Sequence, residues 1–394
     1  MRKPNAAAPL DAARAAWEAA AAESDSRTWR TLPCKLVTPL YGGGVRAGEV
    51  DEVMPVRPSG IRGQLRFWWR LLYGANRQPA EVFAAETAIW GGIAHSGPTA
   101  SKVTLRVRAK GVRSADLAAK SQIAGFPAYA LIVEPGTDPR VLPAGYGFDL
   151  ALGFSCDLDA DQRAGTEQAW RWWASFGGIG ARTRRGLGAI QVKDLAPVTP
   201  AEVAACGGRL LLGAPCRDAG DAWAHAVQAL QRFRQGANLG RNPGDGNRPG
   251  RSRWPEADTL RRSTHRHAPQ HPPTHPVDGV YPRAAFGLPI VFHFKDEKAG
   301  DPHDQMLVPD GSDRMASPLI LRPYWNGGQW QPAALLLPGW QRRLSVSVGF
   351  GHGGCQPSWP AEPAERQRLA TQIKPMQGRG TDPLTAFMDY FEKG

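Results

Sequence analysis

The sequence predicts an α+β protein of two domains with long irregular insertions. Three observations predict it. Runs of alternating apolar and polar residues recur at several points, stretches with helical spacing of apolar residues lie between them, and 394 residues with 42% hydrophobic content suffice for two cores of ordinary size.

Taken in order, residues 9–23 read as a short alanine-rich surface helix. Asp11, Arg14 and Glu18 interrupt its apolar run, so neither a signal peptide nor a membrane span is expected. Residues 32–40 read as a strand ending at Gly42, Gly43 and Gly44. Residues 58–73 carry Ile61, Leu65, Trp68 and Leu72 at helical spacing, with Ser59 as the expected N-cap and Gly74 as the stop. A second short helix is expected over 79–90. From 102 to 108, Val103, Leu105 and Val107 alternate with Lys102, Thr104, Arg106 and Arg108, which makes a basic, half-exposed strand. Residues 148–154 alternate again, 159–176 read as a helix and 187–192 as a closing strand. The resulting β-α-β-β-α-β order is that of ferredoxin-like, RRM-like domains. Such a fold hosts many activities and does not by itself fix one.

A boundary is expected near 197–208. That gives an N-terminal extension (1–30), a first ferredoxin-like domain (31–196) and a second, irregular one (197–394). In the second, 219–234 reads as a helix, 236–289 as a long basic loop rich in Gly, Pro and His, and 288–294, 317–321 and 330–337 as strands. Residues 382–392 read as a closing helix.

The formal charge of +12 makes a polyanion the first partner to consider. Five scattered cysteines without a CxxC pair argue against a disulfide framework and a zinc knuckle, and they fit a reducing cytoplasm. Three segments then concentrate the charge. In RPSGIRGQLRFWWR (57–70), Arg62, Arg66 and Arg70 recur every four residues and share one side of the helix. Glu52 and Glu81 are the nearest acids expected, so the stripe calls for an outside anion. Arg57, Ser59 and the open first turn add a phosphate site at the positive end of the helix. Trp68 and Trp69 read mainly as core, with Trp69 retained as a stacking candidate.

In GGIGARTRRGLG (177–188), five glycines allow close backbone approach, and Arg182, Arg184 and Arg185 supply phosphate donors. The turn lacks the GK[ST] ending of a P-loop and follows a helix, so it is neither a P-loop nor a dinucleotide fingerprint. Between 232 and 267 lie nine arginines and three acids. Arg251, Arg253 and Arg262 belong to this flexible cationic loop, and Trp254 serves either as a stacking platform or as an anchor to its own domain. The helix stripe and the glycine turn are expected to converge into one trough for a sugar-phosphate strand.

His265, His267, His271 and His275 sit among prolines without an accompanying carboxylate or cysteine cluster, so no metal and no cofactor is expected. No catalytic residue is assigned; His95 is the one candidate general base, and it lacks a legible partner.

These segments resemble the RAMP superfamily, and within it the first subunit of the type III-B CRISPR Cmr effector complex. The resemblance is carried by LVTPLYGGG (36–44), RPSGIRGQLRFWWR (57–70), GGIGARTRRGLGAI (177–190), NRPGRSRWPEADTLRR (247–262), YPRAAFGLPIVFHF (281–294) and DRMASPLILRP (313–323). It implies a non-catalytic, cytoplasmic RNA-binding subunit of an antiviral ribonucleoprotein. That subunit would hold guide RNA near its 3′ end, or the paired target RNA, beside neighbouring RAMP subunits and away from any membrane. Two alternatives remain open at the level of sequence. One is a metal-independent endoribonuclease that processes guide RNA. The other is a docking module of the same complex that uses Trp325, Trp330, Trp340 and Trp359.

Overall fold

A computed structural model describes residues 10–25, 27–94, 97–245, 249–350 and 354–394. His95, Asn247 and Arg248 lie outside them. The architecture is α+β, with several antiparallel sheets. Helix α1 (Leu10–Asp25) precedes strand β1 (Thr28–Leu36), which leads to helices α2 (Pro58–Tyr73) and α3 (Pro79–Trp90). Strands β2 (Val103–Ala109) and β3 (Gly147–Phe154), helix α4 (Ala160–Phe176) and strand β4 (Ile190–Val192) complete the first half. These four strands form one antiparallel sheet in the order β2-β3-β1-β4. The β-α-β-β-α-β order expected from the sequence is therefore present, with α3 inserted after α2.

Local chemistry explains several boundaries. Pro58 at the first helical position has no N–H to leave unpaired, and it starts α2 with Arg57 as the N-cap in extended geometry. This corrects the expected Ser59 cap. Asp159 caps α4 by accepting from the Gln162 amide at 2.8 Å. The last strand is shorter than expected because residues 186–188 turn, with Gly188 at a left-handed φ of 63°.

The second half runs through α5 (Pro200–Ala205), β5 (Arg209–Leu212), α6 (Ala219–Gln235) and α7 (Glu256–Ser263). Strands β6 (Ile290–Phe292), β7 (Gln305–Pro309), β8 (Leu319–Trp325), β9 (Trp330–Leu336), β10 (Ser347–Phe350) and β11 (Gln356–Pro357) follow, then α8 (Pro363–Gln372) and α9 (Pro383–Glu392). Strands β8, β9 and β5 make a three-stranded sheet in that order, and β6, β7, β10 and β11 make a separate four-stranded one. Helix α7 corrects the expectation of a structureless 236–289. Glu256 and Asp258 stand in its first turn and Arg261 and Arg262 in its last, which suits the helix dipole, and Leu260 is buried beneath it.

The two sheets share a core. Leu36, Trp68, Trp172 and Phe176 cluster with Leu210, Ile320, Tyr324 and Leu335 across the expected boundary. Arg322 of β8 is buried, and its guanidinium donates to the carbonyls of Gly177 at 2.6 Å, Ile190 at 3.0 Å and Pro323 at 2.9 Å. Burial pushes its pKa down to about 9. A second core surrounds α6 and α9, built from Phe233, Trp254, Phe286 and Phe387. Among the described residues no helix is long and apolar enough to cross a membrane.

Candidate nucleic-acid interface

Helix α2 turns its arginine ladder toward protein. Arg62 donates to the Val103 carbonyl at 3.2 Å and to the Trp90 carbonyl, with its guanidinium 5.9 Å from the Trp90 ring centroid. Arg66 Nε and Arg70 Nη1 both donate to Oε1 of Glu86, at 2.6 and 2.7 Å. Glu86 is 4% exposed and comes from α3. The expected unbalanced stripe is thus corrected: packing of α3 on α2 supplies an acid that sequence distance concealed. One carboxylate still faces two guanidiniums, and the Arg70 side chain remains 44% exposed.

The helix start is only partly open. Ser59 is exposed, whereas Arg57 is engaged by Asp51. Arg57, Gly60, Gly43 and Gly178–Gly180 line one recess of about 150 Å³, so the beginning of α2 and the glycine turn do meet. Their arginines do not form a single trough, because those of α2 are directed to α3 and β2.

Both tryptophan candidates are buried. Trp69 is 2% exposed and stacks on Tyr73 with centroids 4.5 Å apart. Trp254 is 1% exposed, donates from Nε1 to the Arg234 carbonyl at 3.1 Å, and meets Phe233 edge-on. A base needs an exposed ring face, so neither side chain is placed for stacking, and Trp254 anchors its loop. Of the aromatics considered for docking, Trp359 is also fully buried, and Trp325 and Trp330 pack against each other with ring centroids 5.2 Å apart and planes tilted by 54°. Trp340 is half-buried.

The loop arginines staple the loop to itself. Arg251 pairs with Asp258 at 2.7 Å, Arg253 donates to Asn242 Oδ1 at 2.7 Å and to the Asn238 carbonyl at 2.8 Å, and Arg262 donates to the carbonyls of His275 at 2.5 Å and Val277 at 3.3 Å. The histidine segment gains carboxylates that lie far from it in sequence. His271 Nδ1 lies 2.9 Å from Asp301 and 3.5 Å from Asp296. Asp301 also accepts from Arg261 and from the Ala268 amide, so the group reads as a buried ion-pair network.

The glycine turn uses its freedom for protein packing. A Cβ on Gly188 would lie 1.9 Å from the Ile179 carbonyl oxygen, and one on Gly180 2.6 Å from that of Tyr41. The close backbone approach expected for a phosphate is therefore made to the chain itself. The turn presents its arginines toward the second half. Arg182 is exposed in left-handed geometry, Arg184 donates to the Ser317 carbonyl, and Arg185 lies over Tyr129.

These arginines line a cavity of about 640 Å³ together with Arg234 and Arg314, and among the described residues no carboxylate borders it. Burial, then the charge of Arg343, lowers the Arg184 pKa; burial pushes Arg185 down to about 10, with Arg234 and Arg182 adding to the effect. Another cavity, of about 610 Å³ and lined by Arg70 and Arg342, likewise has no acid among its described lining residues. Arg314, Arg342 and Arg343 carry no signal of their own in the sequence; Arg314 alone falls within a family-like segment, DRMASP.

The fold is thus α+β with several antiparallel sheets, and five arginines line a cleft that no acid borders among the described residues. Residues 33–191 match the family model of the RAMP superfamily. Among curated proteins no relative matches. The chain is similar in structure to Cmr1 from Pyrococcus furiosus in its apo form, with 13% identity, a TM-score of 0.47, and 85% of this chain and 91% of that one covered. It is also similar to a chain of the type III-B Cmr-beta complex bound to cognate target RNA, with 8% identity, a TM-score of 0.45, and 93% and 100% covered.

Proposed function

We propose that this chain is a non-catalytic, RNA-binding structural subunit of a type III-B CRISPR effector ribonucleoprotein, built on two ferredoxin-like units. It holds guide RNA near its 3′ end, or the paired target RNA, among neighbouring RAMP subunits. The observation that carries the reading is the arginine-lined cleft where the glycine turn meets the second half, bordered by five arginines and, among the described residues, no acid. Such a surface attracts phosphates and releases their counterions. The superfamily match over residues 33–191 and the motif resemblance across most of the chain support it further. For the fold, the second sheet order β8-β9-β5 repeats the first three positions of β2-β3-β1-β4, which favours a second split βαβ unit that lacks its fourth strand.

The test replaces exposed arginines and spares the stapling ones. Changing Arg182, Arg314 and Arg343 together to Ala lowers affinity for single-stranded RNA about tenfold or more and flattens the plot of log affinity against log salt by about 2. The same Arg→Ala change at Arg253 and Arg262 leaves that slope as it was. An unaltered slope in the triple variant rejects the cleft as the RNA site. Incubating the purified chain with precursor RNA separates this reading from the nuclease alternative, since the proposal expects intact RNA.

A further inference from the structure

The cleft holds two arginines that the described residues leave uncompensated. Nη1 of Arg185 and Nε of Arg234 are fully shut off from water and have no hydrogen-bond partner among them. Each guanidinium is held over an aromatic ring, Arg185 at 5.6 Å from Tyr129 and Arg234 at 5.5 Å from Phe286. Ring contacts fix the orientation of a guanidinium through its face without using its N–H groups. Both residues line the same cavity of about 640 Å³. A buried cationic donor without a partner is costly, and two close together add mutual repulsion. A cavity of this size accommodates a nucleotide-sized ligand.

We propose that Arg185 and Arg234 form a site for a phosphomonoester, a terminal phosphate carried by a nucleotide or by an RNA end, in preference to an internal phosphodiester. This deepens the RNA reading of the same cleft and rests on it for the source of the ligand. Charge distinguishes the two ligands. A diester carries a single negative charge and leaves one of the two guanidiniums uncompensated. A monoester, whose second ionisation lies near pH ~6, carries close to two charges at neutral pH and three acceptor oxygens. Arg314 stands exposed at the rim, and Ile132, 63% exposed, offers an apolar wall to the attached sugar or base. Besides the five arginines and Tyr129, the described lining contains no titratable group, so a change between pH 5 and 8 in this preference reports the ligand's own ionisation.

The experiment uses the full chain and one short oligoribonucleotide prepared with a 3′-phosphate, with a 5′-phosphate, or with hydroxyls at both ends, alongside AMP and inorganic phosphate. Expected at pH 8 is at least a tenfold preference for one phosphate-ended form over the hydroxyl-ended form. The preference shrinks severalfold at pH 5 and is lost in Arg234→Gln. Arg314→Ala, at the exposed rim, weakens it without disturbing folding, should the buried variant prove unstable. Equal binding of all three oligonucleotides by the unaltered protein overturns the proposal while leaving the RNA reading in place. Thermal stabilisation by AMP with no RNA binding supports the phosphate site and rejects the RNA reading. Absence of both rejects both.

Discussion

At the scale of single residues, Glu86 decides what α2 does with its arginines. Its buried carboxylate accepts from Arg66 and Arg70 at once, so removing its charge leaves two neighbouring guanidiniums without their shared counter-charge. Both arginines are partly exposed, and solvent screens part of that cost. Glu86→Gln is expected to destabilise the fold by about 1–3 kcal/mol, read as a lower denaturant midpoint at constant slope. Its RNA affinity is expected to stay level or rise, because the net positive charge of the helix grows. Once binding is corrected for any unfolded fraction, a weaker affinity than that of the unaltered protein contradicts this. The arginines that the sequence marks for RNA therefore divide physically. Arg57, Arg62, Arg66, Arg70, Arg184, Arg251, Arg253 and Arg262 are engaged by acids or carbonyls of the chain, whereas Arg182 is exposed and Arg185 keeps a buried Nη1 without a partner among the described residues.

At the scale of elements, the glycines of α2 and those of the 177–188 turn respond in opposite directions. Gly60 and Gly63 stand on a helix with nothing within 4 Å of where a Cβ would sit, so Ala at either is expected to stabilise by about 0.5–1 kcal/mol through lower unfolded-state entropy. Gly188→Ala meets the Ile179 carbonyl and a left-handed backbone together and is expected to cost more than about 2 kcal/mol. Thermal melting of the three variants checks both signs. The segment joining the halves offers a pH test. Arg171 of α4 pairs with Glu202 of α5 at 2.5 Å and holds the Glu202 pKa at about 2, below its ordinary 4.5. A depressed carboxylate stabilises fully above its unfolded value, so this contribution is present above about pH 4.5 and is lost as pH falls toward 2. In Glu202→Gln the melting temperature falls less steeply over that interval; an identical acid limb in both proteins counts against the pairing.

At the scale of the whole molecule, most of the first sheet was legible because each of its parts is specified locally. The spacing of Ile61, Leu65 and Trp68 sets the buried face of α2, and the alternation Phe148, Leu150, Leu152, Phe154 sets that of β3. Helix α7 was hidden because Gly and Pro around it dominate the composition, and its stability comes from dipole-matched charges and burial of Leu260. The site was less legible than the fold. Charge sign and abundance are one-dimensional, but neutralisation is not: Glu86 reaches Arg66 across 20 residues, and Asp301 reaches Arg261 across 40. The sequence by itself determined the strand and helix order, the excess of positive charge and the glycine turn, since propensity, periodicity and ionisation act over a few neighbouring residues. Only the tertiary structure decided which arginines face an open cleft and which are spent on holding the chain together, because electrostatic compensation and desolvation depend on distances that packing alone creates.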